Sequence, residues 1–297
     1  VDCRTHCVEL TSAEDQDPPT GSALSTLTDY PFFEGKRPRV IGHRGAAGEA
    51  PENTLVAFDE ALREGADLIE LDVQGTRDGN VVIIHDSVLD RTTNGCGPID
   101  ACSLPEIKAL DAGHRFSLDD GQSFPYRGRG IQVPTLEEFL NTFPRAKAII
   151  EIKPESPRIV GTVIDTIRRL RKDDQVLLAS EADSVLAHVR RTLAGRQLKM
   201  ATGFCYGDVA GFLSHLATGE MSDYQAAGQA LQVPCEYEGT SIVNATTLGA
   251  AHRLGLEMFV WTINDIDEMK RLLALGVDGV ITDYPARLAR VVQTMHG

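Results

Sequence analysis

The run Asp67-Leu68-Ile69-Glu70-Leu71-Asp72-Val73-Gln74-Gly75-Thr76-Arg77-Asp78-Gly79-Asn80-Val81-Val82-Ile83-Ile84-His85 decides the fold. Its apolar segments, 67–73 and 81–85, read as two strands joined by a link too short for a parallel crossover. Asp78-Gly79 is a favoured two-residue hairpin turn, so 81–85 is expected to return antiparallel to 67–73. Outward from this hairpin, strand patterns lie at 39–43, 147–152, 175–180, 198–203, 230–233, 257–262 and 279–282. Amphipathic stretches at 53–64, 158–171, 183–193, 245–254, 265–275 and 286–295 separate most of them. Such alternation builds a parallel sheet with right-handed crossovers. With the hairpin strand set aside, eight strands remain. The expected fold class is α/β, a (β/α)8 TIM barrel with a hairpin after the second strand and a short cap insertion.

The same hairpin carries chemistry. With Asp78-Gly79 at the turn, Arg77 faces Asn80, and counting back places His85 opposite Asp72. Residues opposed across a ladder share a face, as do residues two apart, so Glu70, Asp72 and His85 are expected on one side. The long connection from His85 to the strand at 147 holds short helix patterns near 103–110 and 135–142, and its segment of about 86–134 is expected to cap the site. Residues 1–37 are polar and turn-prone around Glu14–Pro19 and read as a poorly structured tail, leaving 38–297 as the barrel domain.

Composition narrows the function classes. The chain has 297 residues, 42% hydrophobic and 24% charged, enough for one large barrel. A formal net charge of −14 argues against general nucleic-acid binding and against adhesion to anionic lipid, but not against a small anion held in a locally positive pocket. No apolar run reaches membrane-spanning length and no signal-peptide pattern is visible, so a soluble protein without stable membrane insertion is expected, cytoplasmic in preference to secreted or periplasmic. The six cysteines, at 3, 7, 96, 102, 205 and 235, read as ordinary thiols, with Cys96–Cys102 the one disulfide candidate.

Glu70 and Asp72 stand two apart in a strand otherwise made of Leu, Ile and Val, and Glu151 and Lys153 repeat that pattern in another. Carboxylates buried together repel and resist ionisation, and a hard divalent cation relieves that cost. Three carboxylates from two strands suit one Ca²⁺ or Mg²⁺ ion far better than zinc. His43 and Arg44, at the end of the first strand, occupy the place where barrels carry catalytic groups, although alone they fit a surface turn as well. With the carboxylates on a metal, His43 and His85 are free for proton transfer, and Arg44 and Lys153 supply positive charge. Together these groups describe phosphoryl transfer better than acyl or glycosyl transfer.

These residues also carry a resemblance. His43-Arg44-Gly45, Pro51-Glu52-Asn53-Thr54, Glu70-Leu71-Asp72-Val73, His85-Asp86 and Asp90-Arg91-Thr92-Thr93-Asn94-Gly95 resemble glycerophosphodiester phosphodiesterases, within the phospholipase C-like phosphodiesterase barrels. Val133–Glu138, Glu151-Ile152-Lys153, Val260–Asn264 and Gly279–Asp283 extend the likeness in order along nearly the whole folded part. The resemblance implies hydrolysis of a small-molecule glycerophosphodiester to glycerol 3-phosphate and an alcohol. It implies an acid/base pair at His43 and His85, metal ligands at Glu70, Asp72 and Glu151, phosphate contacts at Arg44 and Lys153, and a pocket-lining aromatic at Trp261. Asn53 is expected to cap the following helix. His114 and the histidines at 6, 188, 215, 252 and 296 are expected to be structural or solvated. Two rivals stand beside this reading. A lysophospholipase D-like or phospholipase D-like enzyme would need an apolar rim near Phe116, Phe124 and Tyr126. A non-catalytic phosphate-binding barrel would lack a ligand or a histidine, and none is missing here.

Overall fold

The structure is a computed structural model, and it describes residues 27–296. Its strands are β1 (Arg39–His43), β2 (Leu68–Gly75), β3 (Val81–Ile83), β4 (Lys147–Ile152), β5 (Val176–Ala179), β6 (Ala201–Thr202), β7 (Ala230–Pro234), β8 (Glu236–Tyr237), β9 (Thr240–Ser241), β10 (Glu257–Trp261) and β11 (Gly279–Thr282). Its α-helices are α1 (Leu55–Arg63), α2 (Leu104–Lys108), α3 (Leu136–Thr142), α4 (Val160–Arg169), α5 (Asp183–Gly195), α6 (Tyr206–Thr218), α7 (Ala245–Arg253), α8 (Ile266–Leu275) and α9 (Pro285–His296). Eight parallel strands run in the order β6-β5-β4-β2-β1-β11-β10-β7. A single parallel bridge between Gly203 and Ala230 joins the two ends, so the sheet is a nearly closed TIM barrel as the strand count anticipates.

Period two divides each strand between two environments. One face of β2, carrying Ile69, Leu71 and Val73, packs on the helix layer with Phe58, Phe139 and Val163. The other faces converge inside the barrel, where Ile41, Leu68, Ile149, Leu177, Phe259 and Ile281 form an apolar plug. Below it, Arg39 and Glu257 are both buried and hydrogen-bonded at 3.0 and 3.1 Å. Two residues above the plug stand His43, Glu70, Glu151 and Trp261 on the same strands, and Asp283 just past the end of β11. The strand period that seals the barrel floor therefore also aims the polar residues into its mouth.

Several expectations are corrected. The hairpin turn is one residue longer than anticipated. Val73 pairs with Ile83 and Gly75 with Val81, and Thr76 N donates to Asn80 O at 3.0 Å. The loop is thus Arg77-Asp78-Gly79, with Gly79 at φ +81°, the left-handed position that closes a three-residue hairpin. On this register His85 would oppose Leu71, not Asp72. The expected tail also ends earlier than 37. Short 3₁₀ turns span Leu27–Asp29 and Pro31–Phe33, and Phe32 and Phe33 are buried under the apolar plug. Lys147 Nζ donates to the carbonyls of Pro31, Phe32 and Glu34 at 2.8, 3.0 and 2.8 Å, tying this segment to the barrel floor. Cys96, Cys102, Cys205 and Cys235 are free thiols, so the Cys96–Cys102 disulfide does not form. Cys3, Cys7, His6 and the His296 side chain lie outside the described residues. Helix α6 and the β8–β9 hairpin stand where no element was expected from the sequence. In α6 the apolar side chains Val209, Ala210, Phe212, Leu213 and Leu216 leave no clean polar face, and Phe212 alone is fully buried.

If residues 31–34 belong to the folded domain, Phe32→Ala should lower the unfolding free energy by about 3–5 kcal/mol. Denaturant titration would show this as a lower midpoint. A change within about 0.5 kcal/mol, as for a surface side chain, would return the segment to a tail.

Candidate active site

All eight residues singled out from the sequence line one cavity of about 220 Å³ at the C-terminal mouth of the barrel. They are His43, Arg44, Glu70, Asp72, His85, Glu151, Lys153 and Trp261. Strand pairing puts most of them there. His43 is level with Glu70, and Asp72 is level with Glu151. Lys153 follows β4 on the same face and donates to Asp72 Oδ1 at 2.8 Å and Glu151 Oε1 at 2.9 Å. His85 arrives by a different route from the one expected. The chain leaves the ladder after Ile83, although Ile84 N still donates to Asp72 O at 3.0 Å. A bend then turns the imidazole into the cavity, and Gln74 Nε2 holds the His85 carbonyl at 3.0 Å.

One ligand oxygen from each of Glu70, Asp72 and Glu151 lies within 4.8 Å of the others, with Glu70 and Asp72 buried. Burial raises the pKa of Glu70 and of Glu151, and the Asp72 charge raises both further. Burial would raise Asp72 too, but Lys153, Arg44 and His85 hold it below the usual carboxylate range. The cluster is therefore an all-oxygen pocket whose negative charge two cations compensate only in part. A hard divalent cation fits that donor set.

Each histidine is oriented by a carboxylate through its Nδ1. For His43 the partner is Asp283 Oδ1 at 2.6 Å, and for His85 it is Asp86 Oδ1 at 2.7 Å. Burial lowers the His43 pKa, but the Asp283 hydrogen bond and the Glu70 charge outweigh it and leave a net rise. Asp86 is pushed down to about 2, first by its hydrogen bonds to Arg91. Arg91 in turn joins both sides of the site. It donates to Asp86 at 2.7 and 3.0 Å and to Glu52 at 2.6 and 2.8 Å, and Glu52 accepts from Arg44 Nη1 at 2.8 Å. A chain of charged hydrogen bonds thus runs from His85 through the cap to Arg44. Arg44 Nε approaches Asp72 Oδ2 at 3.3 Å, and Arg44 N donates to Glu70 Oε2 at 3.0 Å.

Sequence reading missed several of these supports. Asn53 is not the helix cap. Thr54 caps α1, accepting from Ala57 N, while Asn53 Nδ2 donates to Asp72 Oδ2 at 2.8 Å. Asp283 carries the same period-two signal as its neighbours, since it lies two residues beyond the inward-facing Ile281. The glycines beside His43 serve packing. Gly45, at φ +88°, presses on the Ala57 backbone, where a β-carbon would lie 2.6 Å from the carbonyl. His114 is half-buried beside Asp111 and, like His188, His215 and His252, does not line the cavity.

Comparison with known proteins settles the kinship. Residues 43–287 match the glycerophosphoryl diester phosphodiesterase family. The chain belongs to this family. It is 34% identical over 260 residues to the glycerophosphodiester phosphodiesterase of Caldanaerobacter subterraneus, covering 86% of this chain and 97% of that one. Among solved structures, it is similar to a glycerophosphodiester phosphodiesterase of Agrobacterium tumefaciens, with 28% identity and a TM-score of 0.67 over 85% and 99% of the two chains. It is also similar to an Oleispira antarctica phosphodiesterase in complex with its product sn-glycerol-3-phosphate. There the identity is 25% and the TM-score 0.69, over 86% of this chain and 97% of that one. Among the described residues no helix is long and apolar enough to cross a membrane.

The His43–Asp283 contact makes a signed prediction. In Asp283→Asn the carboxylate that raises the His43 pKa is gone, so the imidazole should titrate at lower pH than in the wild type. NMR titration of the ring would measure it, and an unchanged or higher midpoint would contradict the assignment.

Proposed function

We propose that the chain hydrolyses glycerophosphodiesters to sn-glycerol 3-phosphate and an alcohol. The observation that carries this reading is the placement of two carboxylate-oriented histidines in the cavity that holds the three carboxylates, Arg44 and Lys153. Glu70, Asp72 and Glu151 are the residues to hold one divalent cation, Ca²⁺ or Mg²⁺, since every donor is a carboxylate oxygen. Bound there, the cation would help neutralise charge that develops on the phosphoryl oxygens.

The side chains supply the rest. Arg44 and Lys153 present positive charge to the phosphodiester, and Trp261 forms part of the cavity wall. His43 and His85 divide the proton transfers. The Asp86 carboxylate is shared between His85 and Arg91, whereas Asp283 accepts from the neutral Asn264 amide at 2.6 Å beside His43. Asp283 therefore gives His43 the fuller negative partner, which suits a general acid that protonates the leaving alkoxide. His85, steadied through Asp86 and Arg91, is then the base that accepts the nucleophile's proton. The lipid reading needed an apolar rim on 86–134. There Phe116 packs edge-on against Tyr126, and Arg127 stacks over Phe124, so these rings are engaged within the cap.

Glycerol 3-phosphate release from glycerophosphocholine tests the proposal. His43→Ala and His85→Ala should each lose about 10²–10⁴ in kcat with an unchanged melting temperature. Full activity in either variant removes that histidine from the mechanism, and no release from any glycerophosphodiester overturns the activity. Arg91→Ala should cost about 10- to 100-fold in kcat/KM, because it frees Asp86 and Glu52 from the side chain that holds both, and Arg91→Lys should recover part of the loss. Full activity in Arg91→Ala at an unchanged melting temperature would remove Arg91 from the support of the site.

A further inference from the structure

A second cavity, of about 330 Å³, adjoins the first, and Glu181, Phe204, Gln232 and Trp261 line both. Away from that shared wall its lining is mainly apolar, with Val209 and Leu213 from α6, Val233 of β7 and Ile242. Tyr206, Tyr237 and Trp261 line its mouth, 58%, 43% and 43% exposed, and the two tyrosine rings meet edge-on at 5.6 Å. Three of the large exposed apolar side chains thus gather at one opening, which isolated surface residues do not do. At the junction of the two cavities the polar residues of the shared wall are Glu181 and Gln232.

We propose that this cleft is the subsite for the alcohol half of the diester, and that it selects alcohols carrying a hydrocarbon chain. The inference rests on the proposed diesterase activity and adds what that reading leaves open, the group on the far side of the phosphate. Continuity with the catalytic cavity lets a single molecule span both. When the bond between phosphorus and the alcohol oxygen breaks, that oxygen takes a proton from the acid histidine. The chain beyond that oxygen would leave water for the wall formed by Val209, Leu213, Val233 and Ile242.

Two measurements test this. The first is kcat/KM on methyl, butyl and hexyl esters of sn-glycerol 3-phosphate, with glycerophosphocholine as comparator. Burial of methylenes should raise it roughly two- to fourfold for each one added, about 30-fold or more from methyl to hexyl. The second is calorimetric binding of methyl and hexyl phosphate, which requires no turnover and should show the same ratio with a negative heat-capacity change. Ala210→Phe, a substitution at an exposed position on the cleft wall, should fill the space and bring the hexyl-to-methyl ratio near one at an unchanged melting temperature. Chain-length-independent binding, a hexyl preference that survives Ala210→Phe, or a preference for glycerophosphocholine over the hexyl ester would overturn the subsite. Chain-length-dependent binding with no ester cleaved would instead keep the cleft and overturn the activity.

Discussion

Three carboxylates share the mouth of the barrel within 4.8 Å of one another, and their mutual repulsion is the constraint around which the rest is arranged. Water relieves it little, because Glu70 and Asp72 are buried. Lys153 bridges Asp72 and Glu151, and Arg44 reaches Asp72, so two positive charges oppose three negative ones. A divalent cation would turn that deficit into a small positive excess, the sign that a phosphodiester anion requires. The same compensation explains a local strain. Arg44 sits at φ +51°, unusual for a non-glycine residue, and this conformation goes with its backbone N–H bonded to Glu70.

The barrel supports this charged layer from below by its chemistry. Each inward column of residues changes character with height, from the Arg39–Glu257 pair at the floor, through Ile41, Leu68, Ile149 and Phe259, to His43, Glu70, Glu151 and Trp261. The apolar middle separates two polar layers. The floor is finished by residues 31–34, whose carbonyls satisfy Lys147. The cap closes the other end, with Arg91 linking the two carboxylates that steady His85 and Arg44.

Much of this was legible in the sequence because it rests on a period of two. That period placed Glu70 with Asp72 and Glu151 with Lys153, and it would have added Asp283 had the count been carried two residues past Ile281. The hairpin was legible too, since the link was too short for a crossover, but its register was not. A two-residue and a three-residue loop both place Gly79 in the turn, and the strand pairing with its hydrogen bond from Thr76 to Asn80 separates them. His85 reached the site even so, because the strand ends before it. Contacts between distant segments were illegible. No pattern announces that Asn53 turns from helix capping to Asp72, or that Phe32 closes the barrel floor. Helix α6 was illegible because its apolar side chains leave no clean polar face: Phe212 is buried in the core, and Val209 and Leu213, partly buried against that core, also line the second cavity.

Everything above the barrel floor turns on whether the three carboxylates hold one cation. Calorimetric titration of chelator-treated protein with Ca²⁺ or Mg²⁺ addresses it most directly. One ion should bind per chain, raising the melting temperature as binding to the folded state must, and Glu70→Gln should abolish both effects. No binding of either ion, or unchanged binding in Glu70→Gln, would contradict the account.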